Sequence, residues 1–145
     1  MPYELITKAL PTIEGEVNDI LAQLVDFQIL FDMDGKNINN YIVYDDDNTW
    51  PLELSSGMER FISSLAIRVG LINVSNIPRS NFLAIDEGWG TMDSDNLNSV
   101  YSLFQYLKSQ FQFTLIVSHI DSMRDAVDTL LEIKKEKSFS AINFD

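Results

Sequence analysis

The chain has 145 residues, of which 46% are hydrophobic, and this is enough material for one folded domain with a core. Ten basic and 22 acidic side chains give a net charge of −12, which excludes a basic nucleic-acid-binding surface over most of the protein. The absence of cysteine excludes disulfides, thiolate metal ligands and a cysteine nucleophile. No apolar run is long enough for a membrane span and no leader pattern opens the chain, so we expect an intracellular protein of the cytoplasm or nucleus.

The first third of the chain predicts a helix followed by a hairpin. Apolar residues recur at helical spacing over residues 3–25, and Pro11 should bend or divide this helix because proline removes a backbone donor. Two extended runs, 27–31 and 41–44, flank a turn-rich stretch and predict a β-hairpin.

The remainder alternates between helices and strands, which is typical of an α/β fold. Two short runs are wholly apolar, as in strands that are buried on both faces of a parallel sheet. The predicted elements are a helix over 57–74, a buried strand over 82–85, a helix over 94–109, a buried strand over 113–117, a short helix over 121–127, and strands over 129–134 and 139–144.

Polar side chains follow both predicted buried strands, at the edge of a parallel sheet where ligands gather. Asp86-Glu87 ends the first strand and could bind Mg²⁺ or activate a water, although solvated acids at a strand end are an alternative. Ser118-His119 ends the second strand. His119 is the only histidine; it could donate to a phosphate oxygen or have a structural role.

A small polar loop, Ser55-Ser56-Gly57, stands directly before the helix predicted over 57–74. Either serine can serve as the helix N-cap, and Gly57 allows close backbone approach. Free amides at a helix N-terminus can bind an anion, so the loop is a candidate phosphate site as well as an ordinary cap.

The order of these motifs resembles the second half of an ABC-type ATPase head. In that resemblance Leu54 to Arg60 is the signature motif, Asp86-Glu87 is Walker B, Asp93 belongs to the D-loop and His119 is the switch histidine. The helix after the signature lacks the arginine- and glutamine-rich pattern of transporters. The chain therefore resembles the SMC-like DNA-repair branch, the Rad-fifty and SbcC type ATPases.

The resemblance implies the roles of the site residues. Asp86 would orient Mg²⁺, Glu87 would be the general base and His119 would contact the γ-phosphate of ATP. Ser55, Ser56 and Gly57 would bind the nucleotide of the opposing head, and Asp93 would lie at the dimer interface. Two departures leave the register of the signature open: Ser56 replaces a glycine, and Met58 stands where the family has Gln or Glu, with Glu59 one place later.

The sequence contains no phosphate loop of the form Gly-x-x-x-x-Gly-Lys-Ser/Thr, and its one Gly-Lys pair, Gly35-Lys36, fits the hairpin turn. The resemblance therefore implies the C-terminal lobe of a split head, with ATPase activity only when the N-terminal Walker A lobe is joined to it. The fold class is α/β, with a parallel core sheet, flanking helices and a β-hairpin. We expect one lobe over 1–145, comprising the end of a coiled coil (1–25), a hairpin and loop (26–52) and the motif-bearing region (53–145).

The implied partners are the Walker A lobe, a second head in a homodimer, an SbcD-type nuclease and double-stranded DNA, with no membrane. A non-hydrolytic dimerisation or regulatory module with the same fold is the alternative function. A transporter ATPase is a third possibility, which the signature helix and the helical lead-in disfavour.

Overall fold

The computed structural model describes residues 2–76, 78–86, 97–119, 121–136 and 139–144. Helices and strands alternate after an antiparallel sheet near the N-terminus, as an α/β fold requires. The elements are α1 (Pro2–Leu21), β1 (Gln28–Asp34), β2 (Asn37–Asp45), β3 (Asn48–Pro51), a 3-10 turn (Leu52–Leu54), α2 (Gly57–Val74), β4 (Phe82–Asp86), α3 (Leu97–Gln110), β5 (Phe113–Val117), a 3-10 helix (Asp121–Ala126), β6 (Leu131–Glu136) and β7 (Phe139–Phe144). Within these ranges no helix combines the length and hydropathy needed to cross a bilayer.

Helix α1 packs against α2 and β1. Pro11 was expected to bend or divide α1, but the helix is a single element that contains it. Pro11 is exposed, and apolar contacts C-terminal to it, from Ile13 to Leu21, hold the helix to the core. The two helices approach closely at Gly70, where a Cβ atom would lie 2.9 Å from Val17 Cγ2.

The predicted hairpin is confirmed and gains a third strand. Strands β1 and β2 are antiparallel, with Asp34 paired with Asn37, so Gly35 and Lys36 form the two-residue turn and Gly35 has a φ of +58°. The third strand, β3, pairs with β2, and the sequence did not predict it because it is short and ends in proline.

The acidic run before β3, Asp45 to Asp47, is an exposed turn. The Asp45 carboxylate accepts hydrogen bonds from the Asn48 side chain and from the Asp47 and Asn48 amides. The hydrogen bonds from the Asn48 side chain, followed by that from the Asp47 amide, lower the pKa of Asp45.

Strands β4 and β5 are parallel neighbours, with Phe82 paired with Phe113 and Asp86 with Val117. The expectation that both strands are buried on both faces is wrong for the described part of the chain. One face carries exposed apolar side chains, of which Leu115 is 38% and Val117 48% exposed. The apolar strand pattern is therefore not explained by burial within these residues alone.

The last two strands, β6 and β7, form an antiparallel pair of their own, with Leu131 opposite Phe144. The core lies between α1, α2, α3 and the inner faces of the sheets. Its fully buried side chains are Val17, Leu21, Ile29, Ile42, Ile62, Ser63, Val69, Val100, Leu103 and Leu107.

Candidate functional site

The N-terminus of α2 is the first part of the site, and Ser56 is its N-cap. The Ser56 hydroxyl accepts a hydrogen bond from the Glu59 amide at 3.3 Å, and the Ser56 amide donates to Glu59 Oε2 at 2.5 Å. These reciprocal bonds form a capping box, which fixes the start of the helix. The amides of Gly57 and Met58 have no acceptor within the helix because of their position in its first turn.

The two candidate serines have different environments. Ser55 is 8% exposed, and its hydroxyl donates to the Leu52 carbonyl at 2.6 Å. Ser56 is exposed at the helix start. Met58, which departs from the family pattern, is 6% exposed and belongs to the core, whereas Glu59 makes the polar contacts.

Glu59 also binds the antiparallel sheet. The Tyr44 hydroxyl on β2 donates to Glu59 Oε1 at 2.5 Å. Burial raises the pKa of Glu59, but the hydrogen bonds from Tyr44 and from Ser56 outweigh this and lower it overall. Burial, the hydrogen bond to Glu59 and the negative charges of Glu59 and Asp26 raise the pKa of Tyr44 to about 12. Tyr44, Glu59 and Ser56 border a groove of about 480 Å³ beside the start of α2.

The lowered pKa of Glu59 predicts a pH-dependent contribution to stability. A carboxyl group with a lowered pKa stabilises the fold above its ordinary value, here 4.5, and this contribution is lost as pH falls through the folded-state pKa. Glu59→Gln should therefore lower the free energy of unfolding at pH 7 by about 0.5–1 kcal/mol, at the low end for caps because Glu59 is partly exposed. Urea unfolding should show a smaller difference from the wild type at pH 3. An equal difference at both pH values would contradict the prediction, and Glu4→Gln at pH 7 controls for the lost charge.

The second part of the site is the carboxyl edge of β4 and β5. Asp86 is the last residue of β4 and pairs with Val117, and His119 comes two residues after Val117. Both Asp86 and His119 are exposed. The structure thus brings these two predicted residues to one edge of adjacent parallel strands, where ligands bind in open α/β sheets.

The other predicted site residues, Glu87 and Asp93, lie outside the described residues. Among those described, no hydrogen bond or ion pair joins Asp86 or His119 to the start of α2. Nor do three His, Asp or Glu side chains within the described ranges form a metal-binding cluster. The Asp86 carboxylate suits Mg²⁺ as one ligand, since hard cations bind carboxylate oxygen, and the other ligands would come from phosphate and water.

The curated proteins that are similar in sequence include one from a virus and one from a bacterium, each over a limited part of its length. One is the uncharacterized protein R555 of Acanthamoeba polyphaga mimivirus, which is 38% identical in an alignment 160 residues long. The alignment covers 98% of this chain and 12% of R555. The SbcC component of the nuclease SbcCD from Staphylococcus aureus (strain JH9) is 31% identical over 93 residues, which cover 61% of this chain and 9% of that component. The chain thus spans only a small part of either relative, and no family model matches it.

Solved structures of SMC heads align with nearly the whole chain. One of them comes from work on the ATP-driven dimerization and DNA-stimulated activation of SMC ATPases. It aligns with a TM-score of 0.77 and 14% identity, over 97% of this chain and 88% of that chain. The chain has the fold of the C-terminal lobe of an SMC-like ABC ATPase head. The SMC head domain from Thermotoga maritima aligns with this lobe at a TM-score of 0.66 and 22% identity, covering 98% of this chain and 50% of that chain.

The predicted α/β fold class is therefore confirmed. Sequence reasoning noted Glu59 without assigning it a role, and it missed Tyr44. The spacing Ser56-x-x-Glu59 is the pattern of a capping box and could have revealed Glu59. No local pattern marks Tyr44, because it approaches α2 only through the tertiary fold.

Proposed function

We propose that the chain is the C-terminal lobe of an ATP-hydrolysing, SMC-like DNA-repair ATPase. In this proposal ATP drives two heads together, and the assembled complex binds and processes DNA ends. One observation carries the proposal: Asp86 and His119 reach the same edge of β4 and β5 in a chain with the SMC head fold. The similarity to the SbcC component of the nuclease SbcCD supports the DNA-repair branch.

The edge of β4 and β5 would carry the chemistry. A water oxygen attacks the γ-phosphorus, its proton passes to Glu87, and the bond between the γ-phosphorus and the bridging oxygen of ADP breaks. His119 would donate a hydrogen bond to a γ-phosphate oxygen and so stabilise the charge that develops there. Asp86 would hold Mg²⁺, which neutralises phosphate charge when bound.

The start of α2 would act on the nucleotide of the opposing head. The exposed Ser56 hydroxyl and the Gly57 amide would bind its γ-phosphate, while Ser55 supports the loop through Leu52. Asp93 would lie at the interface between the heads. No described hydrogen bond or ion pair joins the start of α2 to Asp86 or His119, which fits a composite site in which each head completes the other.

The proposed partners follow from what the chain itself lacks. A Walker A lobe would supply the phosphate loop and cover the exposed apolar face of β4 and β5, so the chain alone would not hydrolyse ATP. The lobe would span 1–145, with the end of a coiled coil over 1–25, the hairpin and loop over 26–52 and the motif-bearing region over 53–145. The SbcC relative supports an SbcD-type nuclease as a further partner, and DNA would bind the full complex.

Substitution of Ser56 tests this assignment in the assembled head. With the cognate Walker A lobe present, Ser56→Arg should abolish ATP-dependent association, because a long cationic side chain fills the phosphate site. Ser64→Arg adds the same side chain to an exposed position further along α2 and should leave association unchanged. Analytical ultracentrifugation with and without ATP measures both. Association that needs no ATP and tolerates Ser56→Arg would contradict the proposal and favour the non-hydrolytic module.

A further inference from the structure

We infer that Tyr44 and Glu59 are a positioning pair that orients Ser56 for the phosphate of the opposing head. This inference rests on the proposed function and adds two residues to it. It connects the antiparallel sheet to the phosphate site through one chain of hydrogen bonds, from Tyr44 to Glu59 to Ser56.

The Tyr44 ring has two aromatic neighbours, Trp50 on β3 and Phe27 directly before β1. Its centroid lies 5.5 Å from that of Trp50, with an interplanar angle of 27°, and 5.6 Å from that of Phe27, at 58°. Stacked and tilted contacts at these separations favour a fixed ring orientation. The sheet therefore presents the phenol hydroxyl to α2 at a defined position.

The Glu59 carboxylate uses both of its oxygens within this network. Oε1 accepts from the Tyr44 hydroxyl, and Oε2 accepts from the Ser56 amide. A carboxylate one turn from a bound phosphate would repel it if free to turn toward it. The two hydrogen bonds hold the Glu59 charge between Tyr44 and the helix cap instead.

The same network determines which donors remain for an anion. The Ser56 amide is occupied by Glu59 Oε2, and the Ser56 oxygen accepts from the Glu59 amide. The Ser56 hydroxyl proton can therefore point outward, beside the Gly57 and Met58 amides that have no acceptor in the helix. Three donors would then converge on one phosphate oxygen position.

The pair also makes the geometry of the phosphate site depend on the position of the antiparallel sheet. Any shift of β2 that withdraws the Tyr44 hydroxyl would free the Glu59 carboxylate and loosen the Ser56 cap. Loss of the phenol should thus weaken closure of the heads rather than nucleotide binding by the Walker A lobe. A purely structural role would instead lower the stability of the chain.

A double-mutant cycle in the assembled head tests the pair. Tyr44→Phe keeps the aromatic contacts and should lower ATP-dependent association and turnover about fivefold, with unchanged binding of a fluorescent ATP analogue before association. Glu59→Ala should have a larger effect, and the double variant should be no worse than Glu59→Ala. Tyr101→Phe, an exposed tyrosine on α3, is the matched control and should behave as the wild type.

The possible results distinguish a failure of the positioning-pair inference from a failure of the proposed function. The urea unfolding midpoint of the isolated chain should be the same for Tyr44→Phe as for the wild type, as for ordinary surface substitutions. If the wild type associates and turns over ATP but Tyr44→Phe has no effect, the inference about the positioning pair is wrong and the proposed function stands. Additive effects in the double-mutant cycle would lead to the same conclusion. Absence of ATP-dependent association in the wild type would overturn the proposed function itself.

Discussion

Glu87→Gln is expected to lower ATP turnover of the assembled head by about 10²–10⁴-fold while ATP-dependent association persists. Glutamine matches glutamate in size but cannot take the proton of the attacking water. The closed state would then accumulate, because hydrolysis is the step that opens it. Turnover measured by phosphate release, alongside association measured by sedimentation, checks both parts.

Two further variants make the Glu87 result specific. Asp86→Asn should reduce association as well as turnover, since Asp86 is assigned to Mg²⁺ rather than to the water. Glu4→Gln removes the same charge from the exposed side of α1 and should change neither measurement. Full turnover by the Glu87→Gln head would contradict the assignment of the general base.

Leu115→Lys is expected to weaken binding of the chain to the proposed Walker A lobe. Leu115 lies on the exposed apolar face of β4 and β5 and is 38% exposed in this chain. Burial of a lysine charge without a partner costs several kcal/mol, so a loss of about 3 kcal/mol would weaken binding about 100-fold. Titration of the chain with the Walker A lobe by calorimetry measures the change.

The control for this face is Ile38→Lys. Ile38 is 42% exposed and lies on β2, in the antiparallel sheet rather than in the parallel pair. The Ile38→Lys variant should bind the Walker A lobe as the wild type does. Circular dichroism should show that both lysine variants are folded. Equal binding by Leu115→Lys and wild type would show that this face is not where the lobe docks.

The elements of the fold were largely predictable because each has a strong local signal. The turn at Gly35 and Lys36, the cap before α2 and the apolar strand β5 all appear where their patterns predict them. The edge carrying Asp86 and His119 could be predicted as well, since two parallel strands must end on the same side.

Other features depend on tertiary structure, which local patterns do not reveal. The contact between Tyr44 and Glu59 joins residues 15 apart through the fold, so no periodicity reveals it. The apolar pattern of β4 and β5 predicts coverage on two faces, but the described residues cover only one. Burial on both faces was therefore predicted wrongly for the described residues, because an apolar strand pattern does not say which elements cover each face.

The most direct test of a split nucleotide site is ATP turnover by the chain, by the Walker A lobe and by their mixture, each with Mg²⁺. The proposal predicts turnover in the mixture alone, with loss on Glu87→Gln. Turnover by the chain alone that survives Glu87→Gln would contradict the proposal. So would the absence of turnover in a mixture in which the two lobes bind each other.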